Sequence, residues 1–131
     1  MPRIQHLDSP AFKRLGLPFS EIVRVGDTLH LSGQMGTLEG RLELVSGGVT
    51  EQAEQALRNI QRALEHHGFA LHHVVKCTVM LADMADWPAF NAVYTRFFKP
   101  PYPARSAFGV NGLALGSRLE IEAIAVAGGH A

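Results

Sequence analysis

Three groups of side chains in this sequence can act on a small molecule. Arg105 follows Pro103–Ala104 at the start of a predicted strand. A guanidinium held there can fork two hydrogen bonds to a carboxylate, each contributing about 1.5–3 kcal/mol when well placed. The same residue also serves as an ordinary surface cation or as half of a structural ion pair. Glu120 and Glu122 share one face of a strand whose remaining residues on that face are Ile124 and Val126. A carboxylate there needs a partner or a cavity. It either positions and deprotonates a water, or closes a salt bridge across a subunit contact with a cation such as Arg118 or Lys76. Paired carboxylates also hydrolyse glycosides, but a small sheet domain with no aromatic platform beside them is a poor scaffold for that. Ser32–Gly33–Gln34 closes another predicted strand and offers a hydroxyl and backbone N–H groups to an anion. It lacks the G-x-S-x-G setting of a hydrolase elbow.

Other reactive types point away from chemistry. His66–His67 and His72–His73 flank Gly68. Adjacent histidines point in different directions, and no i, i+4 pair or Cys/His cluster exists, so no metal is expected. Cys77 alternates with valines and reads as an inert core thiol. One cysteine allows no intrachain disulfide, which fits a reducing compartment. No glycine-rich nucleotide motif is present, so no cofactor is implied. Lys plus Arg number 12 and Asp plus Glu number 12, which gives no global electrostatic reason to bind nucleic acid. The segment MPRIQHLDSP lacks the apolar run of a signal peptide, and no stretch approaches the roughly 20 apolar residues of a membrane span. A cytoplasmic location, with no membrane partner, is the expectation.

The elements that must position these residues follow from periodicity. With 131 residues, 47% of them apolar, one domain over 1–131 is expected. A short strand is predicted near Arg3–His6. Glu21–Val25, a Gly26–Asp27 turn and Thr28–Ser32 read as a hairpin. Another short strand is predicted at Arg41–Val45. Ala53, Ala56, Leu57, Ile60 and Leu64 recur at helical steps, so a helix is expected over Thr50–His67, capped by Thr50 and stopped by Gly68. Val74–Leu81 alternates, with Val75, Cys77, Val79 and Leu81 on its apolar face. A second helix is predicted over Asp86–Phe98, capped by Asp86, with Trp87, Phe90, Tyr94 and Phe97 on one face. Strands are expected at Arg105–Val110 and Arg118–Val126. The order implies an α+β protein, one mixed sheet with two helices on one face. The sheet's other face, with Met80, Ile124 and Val126, is then left for other subunits to cover.

Four stretches carry a resemblance: PFSEIVRVGDTLHLSGQMG (18–36), TEQAEQALRNIQRALEHHGF (50–69), VVKCTVMLADMADWPAFNAVYTRFF (74–98), and PARS (103–106) with LEIEAIAVAG (119–128). Together they resemble the reactive intermediate deaminase family, also called the YjgF-type or endoribonuclease L-PSP family. The resemblance covers nearly the whole chain, and PARS followed by EIEAIA is its most specific part. It implies a chorismate-mutase-like fold and a homotrimer whose sheets line a central barrel, with clefts between subunits. It implies that Arg105 binds a substrate carboxylate and that Glu120 orients the attacking water. Ser32 helps to line the cleft, and Asn91 belongs to the family pattern near it. Two positions depart from the pattern. Phe19 stands where the better-studied members have tyrosine, and Ala107 where they have cysteine. The first change removes one polar contact to ligand or water.

The activity implied is cofactor-free hydrolysis of 2-imino or enamine acids to 2-keto acids and ammonia. Two rivals accompany it. One is a ribonuclease or translation inhibitor, against which stands the lack of a basic stripe interleaved with aromatics. The other is a non-catalytic, ligand-binding or chaperone-like trimer, which Phe19 and Ala107 favour.

Overall fold

The computed structural model describes residues 3–128. Six strands form one sheet: β1 (Ile4–Leu7), β2 (Ile22–Val25), β3 (Thr28–Gln34), β4 (Val74–Leu81), β5 (Ala104–Gly109) and β6 (Leu119–Val126). Their order across the sheet is β1-β2-β3-β6-β4-β5. Only β4 and β5 run parallel, as the intervening helical crossover requires. Every other pairing is antiparallel. Three α-helices accompany the sheet: α1 (Pro10–Lys13), α2 (Val49–His66) and α3 (Trp87–Phe97). The mixed α+β architecture matches the expectation. The one-turn α1, capped by the Ser9 hydroxyl on the Phe12 N–H, was not foreseen.

One face of the sheet is sealed by α2 and α3. Leu29, Val79, Leu81, Leu119 and Ile121 are fully buried there against Ala53, Leu57, Ile60 and Leu64 of α2. The α2 stripe is the one its periodicity predicts. Two polar residues beside it are also buried, and both are satisfied. Asn59 Nδ2 donates to the Met35 and Thr37 carbonyls, and Gln52 Oε1 accepts from the Arg118 N–H. They fasten the helix to the ends of β3 and β6.

Local chemistry alters several boundaries. Gly48, not Thr50, caps α2, and its N–H donates to the Glu51 carboxylate at 2.7 Å. At the far end, the Phe69 N–H reaches the Leu64 carbonyl and the Gly68 N–H reaches the Glu65 carbonyl. Gly68 sits at φ 87, so the predicted stop is a Schellman turn. Asp86 precedes α3 but makes no cap; its carboxylate is bound instead by the Arg118 guanidinium, at 3.1 Å to each oxygen. The strand expected at Arg41–Val45 reduces to one bridge, Thr37 to Leu44. On α3, Phe90, Val93 and Tyr94 are buried and Trp87 is partly exposed. Phe98, beyond the helix, is buried, while Phe97 is only half-buried.

Two bulges flank β6 and correct the alternation. On β4, Val74 pairs with Ala125 and Lys76 with Ile124, so one residue too many stands between them. That residue is Val75, which the bulge turns outward; Val74 is buried in its place. On β3, Leu31 pairs with Ala123 and Gln34 with Ile121, which leaves Ser32–Gly33 as the irregular pair. Among the described residues no helix is long and apolar enough to cross a membrane.

Candidate functional site

Arg105 lies on β5, an edge strand, opposite Cys77 of β4. Cys77 is fully buried under the helices, so Arg105 projects to the helix-covered side. Its guanidinium carbon sits 4.7 Å from the ring centre of Tyr94, 5.3 Å from that of Trp87 and 5.9 Å from that of Phe90. Three rings at i, i+3 and i+7 on α3 thus cradle one cation. Such contacts contribute about 0.5–2 kcal/mol each, more as water is excluded. A ring face satisfies none of the guanidinium's in-plane N–H donors. Among the described residues no carboxylate pairs with it, so its fork is left for an anion from outside the chain. Half-buried Ala107 is two residues along the same strand and face, opposite Val79. Asn91, also half-buried, follows Phe90 on α3.

The thiol behind this cradle is not a nucleophile. Burial pushes Cys77 up to about 11, so it stays protonated near neutrality. Burial also raises Tyr94. Its hydroxyl has no nitrogen or oxygen partner among the described residues, and the Cys77 thiol beside it is a weak one.

Glu120 lies elsewhere. Leu119 and Ile121 on either side of it are fully buried against the helices, so alternation sends Glu120 to the open face. It pairs across β4 with Met80 and lies over Gly33 of β3. A Cβ on Gly33 would fall 2.8 Å from the Glu120 carboxyl carbon, so only glycine leaves room for this carboxylate. Burial raises the Glu120 carboxyl above the usual carboxylate range, and the neighbouring Glu122 adds to the shift. Of the two cations named for a salt bridge across a subunit contact, Arg118 is engaged by Asp86 of its own chain, and Lys76 forms no ion pair among the described residues. Neither Glu120 nor Glu122 forms an ion pair with another described residue.

Ser32 and Phe19 belong with Glu120. Ser32 Oγ donates to the Ser20 carbonyl at 2.6 Å, and the Ser32 N–H donates to the Glu21 carbonyl at 3.0 Å. These bonds pin the loop that carries Phe19, half of whose surface is exposed and whose ring packs 5.7 Å from Phe12. The six sequence-predicted positions therefore fall into two sets. Arg105, Ala107 and Asn91 sit with α3 and the β5 edge. Phe19, Ser32 and Glu120 gather around the β3 bulge. Arg105 and Glu120 face opposite sides of one sheet. The aromatic cradle is what sequence reasoning missed; its signal was three rings at helical spacing beside a strand with one arginine. His66 meets His67 edge to face and His72 lies tilted against His73, and no group of three or more metal-ligating side chains exists among the described residues.

Residues 13–127 match the Endoribonuclease L-PSP family. A human protein named 2-iminobutanoate/2-iminopropanoate deaminase is 46% identical over 85% of this chain and 81% of its own length. The structure of RidA from an Antarctic Psychrobacter superposes with a TM-score of 0.78 at 37% identity, over 84% of this chain and 89% of that one. Yeast Mmf1 superposes with a TM-score of 0.83 at 32% identity, over 96% and 100%. The arginine over its three rings and the glutamate over its glycine thus stand in a chain that belongs to the endoribonuclease L-PSP family, the family of the reactive intermediate deaminases.

Proposed function

We propose that this protein is a cofactor-independent deaminase that hydrolyses 2-imino and enamine acids to 2-keto acids and ammonia. The observation that carries this is the Arg105 guanidinium, held among the rings of Trp87, Phe90 and Tyr94 with no carboxylate of the described residues on its fork. The deaminase name borne by the human relative supports the same activity.

Arg105 anchors the substrate carboxylate through two charged hydrogen bonds. An enamine first takes a proton at carbon to become the protonated imine. Glu120 accepts a proton from water as the oxygen attacks the imine carbon. Glu120 passes that proton to the nitrogen and takes the proton of the new hydroxyl as the carbon–nitrogen bond breaks, so ammonia leaves and the 2-keto acid remains. The raised Glu120 suits this role, because a base works best when its proton affinity lies nearer the working pH. A protonated imine is already electrophilic, so positioning supplies much of the rate.

One chain cannot place both groups on one small substrate, because they occupy opposite faces of its sheet. The reading therefore includes an assembly. In a chorismate-mutase-like homotrimer with a central barrel, Arg105, Ala107 and Asn91 of one copy meet Phe19, Ser32 and Glu120 of the next. One domain over 1–131, a cytoplasmic location and the absence of a nucleic-acid or membrane partner complete the proposal.

The test is ammonia release from imines generated in situ from a panel of amino acids. Arg105→Ala is expected to fall to the spontaneous rate. An Arg105→Ala protein as fast as the parent overturns the mechanism. Phe19 and Ala107, which lack the hydroxyl and thiol of the family pattern, favour a second reading as a ligand-binding trimer. Thermal stabilisation by 2-keto acids with no turnover of any imine selects that one.

A further inference from the structure

A cavity of about 310 Å³ lies between α1, the loop around 37–41 and α2, and neither Arg105 nor Glu120 lines it. That volume is at the lower end of the range for small-molecule sites. Its wall combines three kinds of group. Phe12, Leu15 and Leu38 are apolar, Arg14 is a cation, and Glu21 is an anion. The other charges on the wall are already matched: Arg62 pairs with Glu39 at 3.3 Å and Arg41 with Glu43 at 3.6 Å. Arg14 has no ion pair or side-chain hydrogen bond among the described residues. Glu21 has no cation partner there either; one carboxylate oxygen accepts from the Ser9 N–H at 3.1 Å. The cavity thus offers one free positive charge, one free negative charge and an apolar patch. Gln34 and Asn59 add amide groups to its wall.

We infer that this cavity is a second binding site, for a zwitterionic α-amino acid with an apolar side chain. Arg14 takes the carboxylate, Glu21 takes the ammonium group, and Phe12, Leu15 and Leu38 pack on the side chain. A simple anion would leave Glu21 facing it with like charge, and a simple amine would leave Arg14 unmatched. The site also adjoins the candidate active site physically. Phe12 packs on Phe19, and Gln34 follows Gly33, over which Glu120 lies. An amino acid bound here contacts Phe12, which packs on Phe19, and Gln34 at the end of β3.

The experiment is calorimetric titration of L-leucine into the full-length protein carrying Arg105→Ala, so that carboxylate binding at Arg105 cannot contribute. Saturable binding in the millimolar range or tighter is expected, with the ¹⁵N side-chain signals of Gln34 and Asn59 shifting on titration. Adding Arg14→Ala or Glu21→Gln is expected to weaken it about tenfold or more, the loss of one charged hydrogen bond. Glu21→Gln keeps an acceptor for the Ser9 N–H, so it tests charge and not the fold. Leucinamide and 4-methylpentanoate, each lacking one charge, are expected to bind about tenfold more weakly or worse. The inference is overturned if L-leucine does not bind, if Arg14→Ala binds it as well as the parent, or if 4-methylpentanoate binds as tightly. None of these outcomes touches imine hydrolysis, which is measured separately on the protein with Arg105 intact.

Discussion

The two faces of the one sheet differ in what completes them. The helix-covered face is closed by its own chain: Leu29, Val79, Leu81, Leu119 and Ile121 are fully buried there. The opposite face carries His30, Thr78, Glu120 and Glu122 among Met80, Ile124 and Val126, and no described helix or strand lies over it. The first face is a solved packing problem with one cation, Arg105, at its rim. The second holds a carboxylate whose ionisation the fold resists. The contrast teaches that stability is concentrated on one side and unfinished chemistry on the other.

The proposed assembly ties the second face to its neighbours, and Ile124→Asp is the hardest test of that tie. A charge buried between copies costs several kcal/mol per ion. Light scattering is expected to report a protomer in place of a trimer, with the helical circular dichroism intact. A variant that remains trimeric removes the open face from the interface.

Next in size is Glu120→Gln, which is expected to lower imine hydrolysis about 10²- to 10⁴-fold. Binding of a 2-keto acid through Arg105 should survive, and calorimetry separates the two. The same variant sharpens the contrast in stability. The folded carboxyl of Glu120 is raised above its unfolded value, so ionising it opposes folding. That penalty is absent below the ordinary carboxylate range and is complete once the pH exceeds the raised value. Glu120→Gln should therefore melt higher than the parent near neutrality and no higher in acid. An equal melting difference at both pH values would sever the link to ionisation.

On the closed face, Ile121→Ala should cost about 2–5 kcal/mol by urea denaturation, the usual range for a buried aliphatic truncation. A cost below that range would mean the helix side is more loosely packed than its burial implies. The smallest effect is expected from Asp86→Asn, which weakens the partly exposed pair with Arg118. A loss of less than about 1 kcal/mol is expected from the same measurement.

Much of this was legible in the residues. The period of Ala53, Ala56, Leu57, Ile60 and Leu64 defines the buried stripe of α2, and alternation along β6 puts Glu120 and Glu122 on the face away from the core. Those patterns are local, and each needs only its own segment's 3.6- or 2-residue repeat. The caps were less legible, because Thr50 and Asp86 are good capping types whose places went to Gly48 and to an ion pair with a residue 32 positions away.

The sequence by itself determined the fold class, the apolar stripe of α2, the two sides of β6 and, through resemblance, the family. Only the tertiary structure decided that Val75 is thrown outward, that three rings of α3 hold Arg105, and that Arg105 and Glu120 look away from each other. The reason is that a strand's alternation fixes sides relative to itself. Which side faces the helices, and where a bulge reverses the count, depends on partners far along the chain.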